Sequence, residues 1–461
     1  DRRPGGRTEA TLREPGAVIL DGARAAFADD PERIAVTDGS GSLSWTRFRD
    51  EIDRVAGELG ESPGGEPVEI HLPSGPEFLA TFLAAATLKR PACTLHNDWA
   101  GPELEAAREA SRSFRPEVPP ATDDDPVFYI GFTSGTSGRP KPFARRQDSW
   151  FSSFDPAGEL FSIGHGDTVY LPGSMQHSHF LFGAILGLHR GASVRLFESF
   201  DAASLIAELG NGSRAVVYLV PTMLLALDEA ADAPIAGVHS LVISGAKMEA
   251  HHWEIARRLF PNASIGELYG ASELSFVAVN TEGENAEDPG YVGHLFPGVE
   301  VEIRDSGIVY VRSPYLFDGY FDETGTTSPI GPDGFMTVGD VGRLGPDGLS
   351  LAGRASNMLI TGGKNVHPEE VEARLGVHPA VRECVVVGVP DPKWGEEITA
   401  FIVPADDETR LEVDDLRDHL KQGLASYKVP KRWFLVEEIP RTRAGKTDRS
   451  PERLFEAATE F

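Results

Sequence analysis

The chain is predicted to be an α/β protein, with a large amino-terminal domain of parallel-rich α/β layers plus a small β-barrel, and a small α+β carboxyl-terminal domain. Three observations predict this. Its 461 residues exceed what one hydrophobic core supports, so two or more domains are expected. From residue 17 to about 350, short β-type runs alternate with helix-like segments, the signature of largely parallel sheets covered by helices. After that the pattern changes, and the boundary is drawn as 1–353 against 354–461.

In chain order, "PVEIHLP" leads into the helix-like "GPEFLATFLAAATLKR", "DTVYLP" precedes "FLFGAILGLHRG", and "AVVYLV" precedes "PTMLLALDEAA". "SLVISGA" then precedes "EAHHWEIARRLF". From "GVEVEIRDSGIVYVRSP" onward, strands are separated by turns, with "PDG" occurring twice, which suits a small antiparallel barrel or ribbon. In "HPEEVEARL", Pro368 suits the first turn of a helix, and Glu369 and Glu370 complement its dipole. The final segment, with "RECVVVGVPD", "EEITAFIVP" and "RWFLVEEIP", reads as a compact α+β unit.

Composition removes several function classes. With 43 basic against 71 acidic residues the net charge is −28, which repels nucleic acid and anionic lipid. No apolar run is long enough to span a bilayer. The first residues carry no signal-type apolar stretch, and Cys93 and Cys384 lie far apart without metal-ligand spacing. A reducing cytoplasm is the expected setting. Such a chain also repels polyanionic nucleotides unless positive charge is gathered locally. Arg145 and Arg146 are one candidate group, and Lys428, Lys431, Arg432, Arg441, Arg443, Lys446 and Arg449 are another.

The stretch "IGFTSGTSGRPKPFARR", residues 130–146, follows the apolar "VFYI" and brings together glycines, hydroxyls and a lysine. Small residues let backbone N–H groups crowd an anion, so a phosphate loop at a strand end is expected. It is not of the G-x-x-x-x-G-K-[ST] type: Gly135 and Gly138 are too close, and Pro140 and Pro142 flank Lys141.

Five motifs in order resemble the adenylate-forming superfamily of acyl-CoA synthetases, adenylation domains and luciferase-like enzymes: "TSGTSGRPK", "YGASE", "VGD", "GRASNMLITGGKNVHPEEVE" and "PRTRAGKTDR". The resemblance spans essentially the whole chain. It implies an AMP-forming acid–thiol ligase, in which a carboxylate attacks the α-phosphate of MgATP and CoA then displaces AMP. ATP, Mg²⁺ and CoA are the implied cosubstrates and cofactor. Thr133, Ser134, Gly135, Thr136, Ser137, Gly138 and Lys141 would hold the phosphates. Glu273, with Thr136, would hold the metal, carboxylate oxygen being suited to a hard cation. Tyr269 would offer a flat face to the adenine, Gly245, Ala246 and Lys247 would edge it, and Gly270, Ala271 and Ser272 would also bind ATP. Asp340 and Arg354 would hold the ribose, and Lys446 would bridge the acid and α-phosphate.

The resemblance also makes the carboxyl-terminal domain mobile about a hinge at Ser356, with Gly362, Gly363 and Lys364 lining a CoA tunnel. His177 or His179, with Phe180 and Tyr218, would meet the acid. The matching stretch "GSMQHSHFLFG" lacks the acid that an amino-acid substrate would need. Departures are few: Ser137 and Ser272 replace threonine, Pro142 replaces glycine, Ser356 replaces a charged hinge residue, and the stretch around 97–127 is short. Two other readings stay open, an enzyme loading a carrier protein and a non-catalytic nucleotide-binding regulator.

Overall fold

A computed structural model describes residues 19–62, 65–114, 125–134, 140–210, 214–281, 288, 290–305, 307–322, 325–406, 411–441, 447–456 and 458–460. Among them, thirteen strands form one sheet with a parallel centre. There Ser264–Ala271, Val238–Ile243, Ala215–Leu219, Thr168–Leu171, Ser193–Leu196 and Ile34–Asp38 lie side by side. These strands are nearly all apolar because helices cover them. Ala215–Leu219 is buried at every position. The alternation of sequence explains the parallel order, the strands Thr168–Leu171, Ser193–Leu196, Ala215–Leu219 and Val238–Ile243 each being followed by a helix, among them Ser178–His189, Pro221–Ala230 and Ala250–Leu259.

The antiparallel strands expected as a small barrel extend this sheet. Tyr291–Leu295 pairs with Ser275–Thr281 on one side and with Gly348–Arg354 on the other, and Asp340–Gly345 follows. A second sheet holds Val68–Ile70, Ala92–Thr94, Val127–Ser134, Pro140–Arg146 and Gly319–Asp322 in that order. Its hairpin, Val127–Ser134 against Pro140–Arg146, is antiparallel and carries the glycine stretch at its tip.

Beyond Arg354 the pairing moves to a third sheet, starting at Leu359–Thr361 and centred on Gly395–Pro404. It has its own core, with Val366, Val371, Leu375, Ile398, Ile402 and Trp433 buried against the helices Pro368–Leu375 and Val413–Lys421. Pro368 occupies the first turn of its helix, as its fixed φ and missing N–H allow. No helix among the described residues is long and apolar enough to cross a membrane.

One side chain fastens the two large sheets together. Arg145, on the hairpin, is 1% exposed. Its Nε and Nη2 donate to the Ser272 carbonyl at 3.2 and 2.8 Å, and its Nη1 donates to the Tyr315 carbonyl at 3.0 Å and Ser149 Oγ at 2.9 Å. Burial lowers its pKa to about 10, and the neighbouring Asp318, Tyr129 and Glu273 oppose that shift. This corrects the expectation that Arg145 offers its charge to a nucleotide, because the side chain is buried and each of its nitrogens donates to a protein oxygen. Arg146 is likewise engaged, donating to the buried Asp318 at 2.5 Å.

Arg145→Met would leave those buried carbonyls without their donor. Hydrogen bonds to charged groups contribute about 1.5–3 kcal/mol each and are not additive, so a loss of roughly 3 kcal/mol is expected in urea denaturation. An unchanged midpoint would show that the guanidinium does not fasten the sheets.

Candidate active site

Arg145 joins the hairpin strand Pro140–Arg146 to the 271–275 turn through the carbonyl of Ser272. The turn is tight: Leu274 N donates to Ala271 O at 3.1 Å, and Ser275 has φ +55°. Gly270 is required there, since a Cβ would lie 1.9 Å from the Ser275 carbonyl oxygen. Glu273 projects from this turn and is 9% exposed. Its Oε1 accepts a hydrogen bond from Tyr320 OH at 2.5 Å, and its carbonyl accepts from Phe317 N at 2.9 Å. Lys141, exposed at the base of the hairpin tip, holds its Nζ 3.4 Å from the centroid of the Tyr320 ring. Tyr320 therefore joins the lysine and the carboxylate. Burial and the adjacent Glu273 push its hydroxyl pKa far above the ordinary phenol value. Thr133 lies on the strand leading to the tip. Gly135, Thr136, Ser137 and Gly138 lie outside the described residues, as do the side chain of Ser134 and the whole of Lys446.

A second polar group sits where the strands Ser264–Ala271, Asp340–Gly345 and Gly348–Arg354 end. Asp340 and Arg354 are opposite one another in the antiparallel register. Arg354 Nε donates to Asp340 Oδ1 at 3.0 Å, and Tyr269 OH donates to Oδ2 at 2.5 Å. Asp340 is 6% exposed, with each oxygen holding one donor. A carboxylate oxygen has two acceptor sites, so each keeps a further one for an incoming hydroxyl. Burial and the Asp340 charge raise the Tyr269 pKa well above its ordinary value, so this tyrosine stays a donor.

Along the adjoining strand end, Gly245 takes φ +92° and the loop turns back on itself. The Lys247 ammonium points away to the buried Glu267, 2.7 Å from Oε2, while Met248 N and Asn280 Nδ2 bind the same carboxylate. Only the main chain of Ala246 and Lys247 is therefore directed by the loop itself.

The two histidines near the start of Ser178–His189 have different surroundings. His179 Nε2 lies 3.2 Å from the Leu219 carbonyl, and its ring packs between Phe180 and Tyr218, with centroids at 5.0 and 5.1 Å. Burial lowers its pKa to about 4, so it is neutral and donates from Nε2. His177, at the helix boundary, touches His96 instead, with centroids 4.8 Å apart. The Tyr218 hydroxyl is buried without a hydrogen-bond partner, and its pKa is driven up by burial.

In the third sheet, Gly362 and Gly363 have φ +56° and +74° and join Leu359–Thr361 to Lys364–Val366. Two consecutive left-handed residues are what a two-residue hairpin turn demands, so the glycines have a local structural cause. Gly362 lies against Trp394, and a Cβ there would come within 3.1 Å of that ring. Lys431 and Lys393 hold their Nζ atoms 3.0 and 4.7 Å from the Trp394 ring centroid, and Lys364 lies 4.4 Å from that of Tyr427. Ser356 lies in the short turn Ala355–Asn357, and Asn357 donates to Glu369 at 2.6 Å.

Among the described residues, three cations of the carboxyl-terminal basic stretch are paired with glutamates. Arg449 is bound by both oxygens of Glu372 at 2.5 and 2.6 Å, Arg441 pairs with Glu383, and Lys428 pairs with Glu370. The sequence showed the cations clustering but not the glutamates that the fold sets against them. Tyr320, Trp394 and His96 were not singled out either. "FDGYFD" gives Tyr320 no periodic or motif signal, and His96 and Trp99 stand in an irregular loop.

The whole chain can now be compared with known proteins. The AMP-binding enzyme family matches residues 94–321, and the AMP-binding enzyme C-terminal domain matches residues 370–446. An uncharacterized acyl–CoA ligase of Bacillus subtilis (strain 168), YhfT, is 32% identical over 91% of this chain and 94% of its own length. A feruloyl-CoA synthase of Amycolatopsis sp is 29% identical over 86% of this chain and 79% of its own. The solved structure of the amide bond synthetase McbA from Marinactinospora thermotolerans superimposes with a TM-score of 0.82 at 27% identity, covering 95% and 99% of the two chains. The o-succinylbenzoate CoA synthetase MenE from Bacillus subtilis, in complex with its acyl-adenylate, shares the fold with a TM-score of 0.79 at 21% identity, covering 96% and 99%. These likenesses set aside the non-catalytic reading: the chain belongs to the adenylate-forming AMP-binding enzyme family and is an enzyme of its AMP-forming ligase class.

Proposed function

We propose that this enzyme is an AMP-forming carboxylic acid–CoA ligase. In the first half-reaction a carboxylate oxygen of the acid bonds to the α-phosphorus of ATP, the bond to the bridging oxygen breaks, and pyrophosphate leaves. In the second, the CoA sulfur bonds to the acyl carbon, AMP leaves with the electron pair, and the thiol proton passes to solvent. Thr133 to Gly138 and Lys141 hold the phosphates, and Gly270 to Ser272 with the 245–247 main chain edge the base. Asp340, with Tyr269 and Arg354 bonded to it, takes the ribose hydroxyls on its free acceptor sites. Glu273 fits Mg²⁺ by its chemistry, being a nearly buried carboxylate held by a single neutral hydroxyl, and the metal when bound neutralises phosphate charge. Lys446 stabilises the charge that builds on the α-phosphate. The acid lies toward His177, Phe180 and Tyr218. Residues 354–461 swing about Ser356, bringing first Lys446 and then the Gly362–Lys364 turn to the site.

The observation that carries CoA, as against a carrier protein, is Trp394. Its ring lies against Gly362 with Lys431 and Lys393 over it, whereas the nearby described cations Lys428, Arg441 and Arg449 are paired with glutamates. An aromatic face with two ammonium groups suits a phosphorylated nucleoside, which CoA brings and a carrier arm lacks.

A panel of saturated fatty, benzoic and cinnamic acids, incubated with ATP, Mg²⁺ and CoA, should give AMP and an acyl-CoA detectable by mass spectrometry. Adenylate that passes only to a phosphopantetheinyl protein would overturn the CoA assignment.

Trp394→Ala combined with Lys431→Ala should raise the KM for CoA by about tenfold, a stacking contact being worth ~1–3 kcal/mol. Acid-dependent exchange of pyrophosphate into ATP should be unchanged. Equal loss in both assays would remove Trp394 from the thiol-bearing nucleotide.

Lys446→Ala should slow adenylate formation by a factor of ~10² to 10³, the usual cost of one transition-state charge contact. Chemically supplied acyl-AMP should still react with CoA at close to the normal rate. Loss of both half-reactions alike would make the lysine structural and the domain swing wrong.

A further inference from the structure

The loop between Ala92–Thr94 and Pro102–Ser113 carries two rings, His96 and Trp99, that touch His177 and Phe132. It is closed as a turn, Trp99 N donating to the His96 carbonyl at 3.1 Å, and the two rings it carries lie 4.6 Å apart. Trp99 meets Phe132 edge-on, centroids 5.2 Å apart at 86°. Phe132 immediately precedes Thr133 on the strand that runs into the glycine tip. His96 meets His177 edge-on at 4.8 Å and 66°. A continuous file of rings thus runs from the phosphate hairpin to the start of Ser178–His189.

The main chain before His177 is already fastened without this file. Met175 N donates to Ser74 Oγ at 2.9 Å, and Gln176 Nε2 donates to the Leu72 carbonyl at 2.8 Å. His96 therefore adds orientation of the His177 ring rather than placement of its backbone. His179 does not compete for the role, since its Nε2 is held by Leu219 and its ring is enclosed by Phe180 and Tyr218. Burial lowers the pKa of His96, so it meets His177 as a neutral ring.

We propose that His96 and Trp99 are positioning residues: His96 presets the His177 ring toward the acid, and Trp99 ties that setting to the phosphate hairpin. This rests on the ligase reading above, with His177 as the histidine that faces the acid. Ordering one side chain on binding costs about 0.5–1.5 kcal/mol, and a ring ordered beforehand spares the acid that cost. The effect should therefore fall on the KM for the acid and not on the chemical step.

The test uses the best acid of the panel and measures AMP release by the full chain. His96→Ala should raise the KM for the acid about five- to tenfold, leaving kcat and the KM for CoA within about twofold. His96→Phe keeps a flat ring at the edge contact and should recover most of the loss. Where the alanine variant does not fold, His96→Gln, of similar length but without a ring, should show the same raised KM. Trp99→Ala should raise the KM values for acid and ATP together. An unchanged acid KM in the His96 variants, or a phenylalanine variant as impaired as the alanine one, overturns the proposal while leaving the ligase standing. A wild-type enzyme that releases no AMP with any acid overturns the ligase reading, and this proposal with it.

Discussion

A buried guanidinium that binds carbonyl oxygens rather than carboxylates is the constraint on which the site depends. Through Arg145 the hairpin of the second sheet is held to Ser272 and Tyr315 of the chain that continues the first. Lys141, Tyr320 and Glu273 then stand together, the tyrosine touching both of the others. Several donors in one rigid plane achieve this where a lysine would supply a single point charge. Desolvation is costly for such a group, and the site accepts that cost for a fixed geometry.

Charge is handled in the same manner elsewhere. A chain of net charge −28 has to receive a polyanion, and it does not do so with a general basic surface. Arg441, Arg449 and Lys428 are answered by Glu383, Glu372 and Glu370. Among the described residues, Lys141 lies over Tyr320 and Lys431 over Trp394. Rings hold an ammonium in place without neutralising it, and this leaves the charge for a phosphate.

Much of the fold could be read from the sequence, because most of the parallel strands are apolar runs followed by a helix. Ala215–Leu219 with Pro221–Ala230 is one such case. The antiparallel extension was less accessible, since pairing of Tyr291–Leu295 with both neighbours is long-range and leaves no local trace. Within the site, Asp340, Arg354, Tyr269 and Glu273 stood in motifs, whereas their partners did not. Arg145 looked like a phosphate ligand because burial cannot be seen in a string of residues. The difference between the surroundings of His177 and His179 likewise includes one carbonyl, that of Leu219, forty residues from His179.

The account rests on a carboxylate oxygen attacking the α-phosphorus, and isotope transfer tests that step directly. An acid accepted by the enzyme, labelled with ¹⁸O in both carboxylate oxygens, is converted with ATP and CoA, and the products are weighed by mass spectrometry. The account predicts one ¹⁸O in the phosphate of AMP, one in the acyl-CoA and none in pyrophosphate. Unlabelled AMP, or label appearing in inorganic phosphate or pyrophosphate, would contradict it.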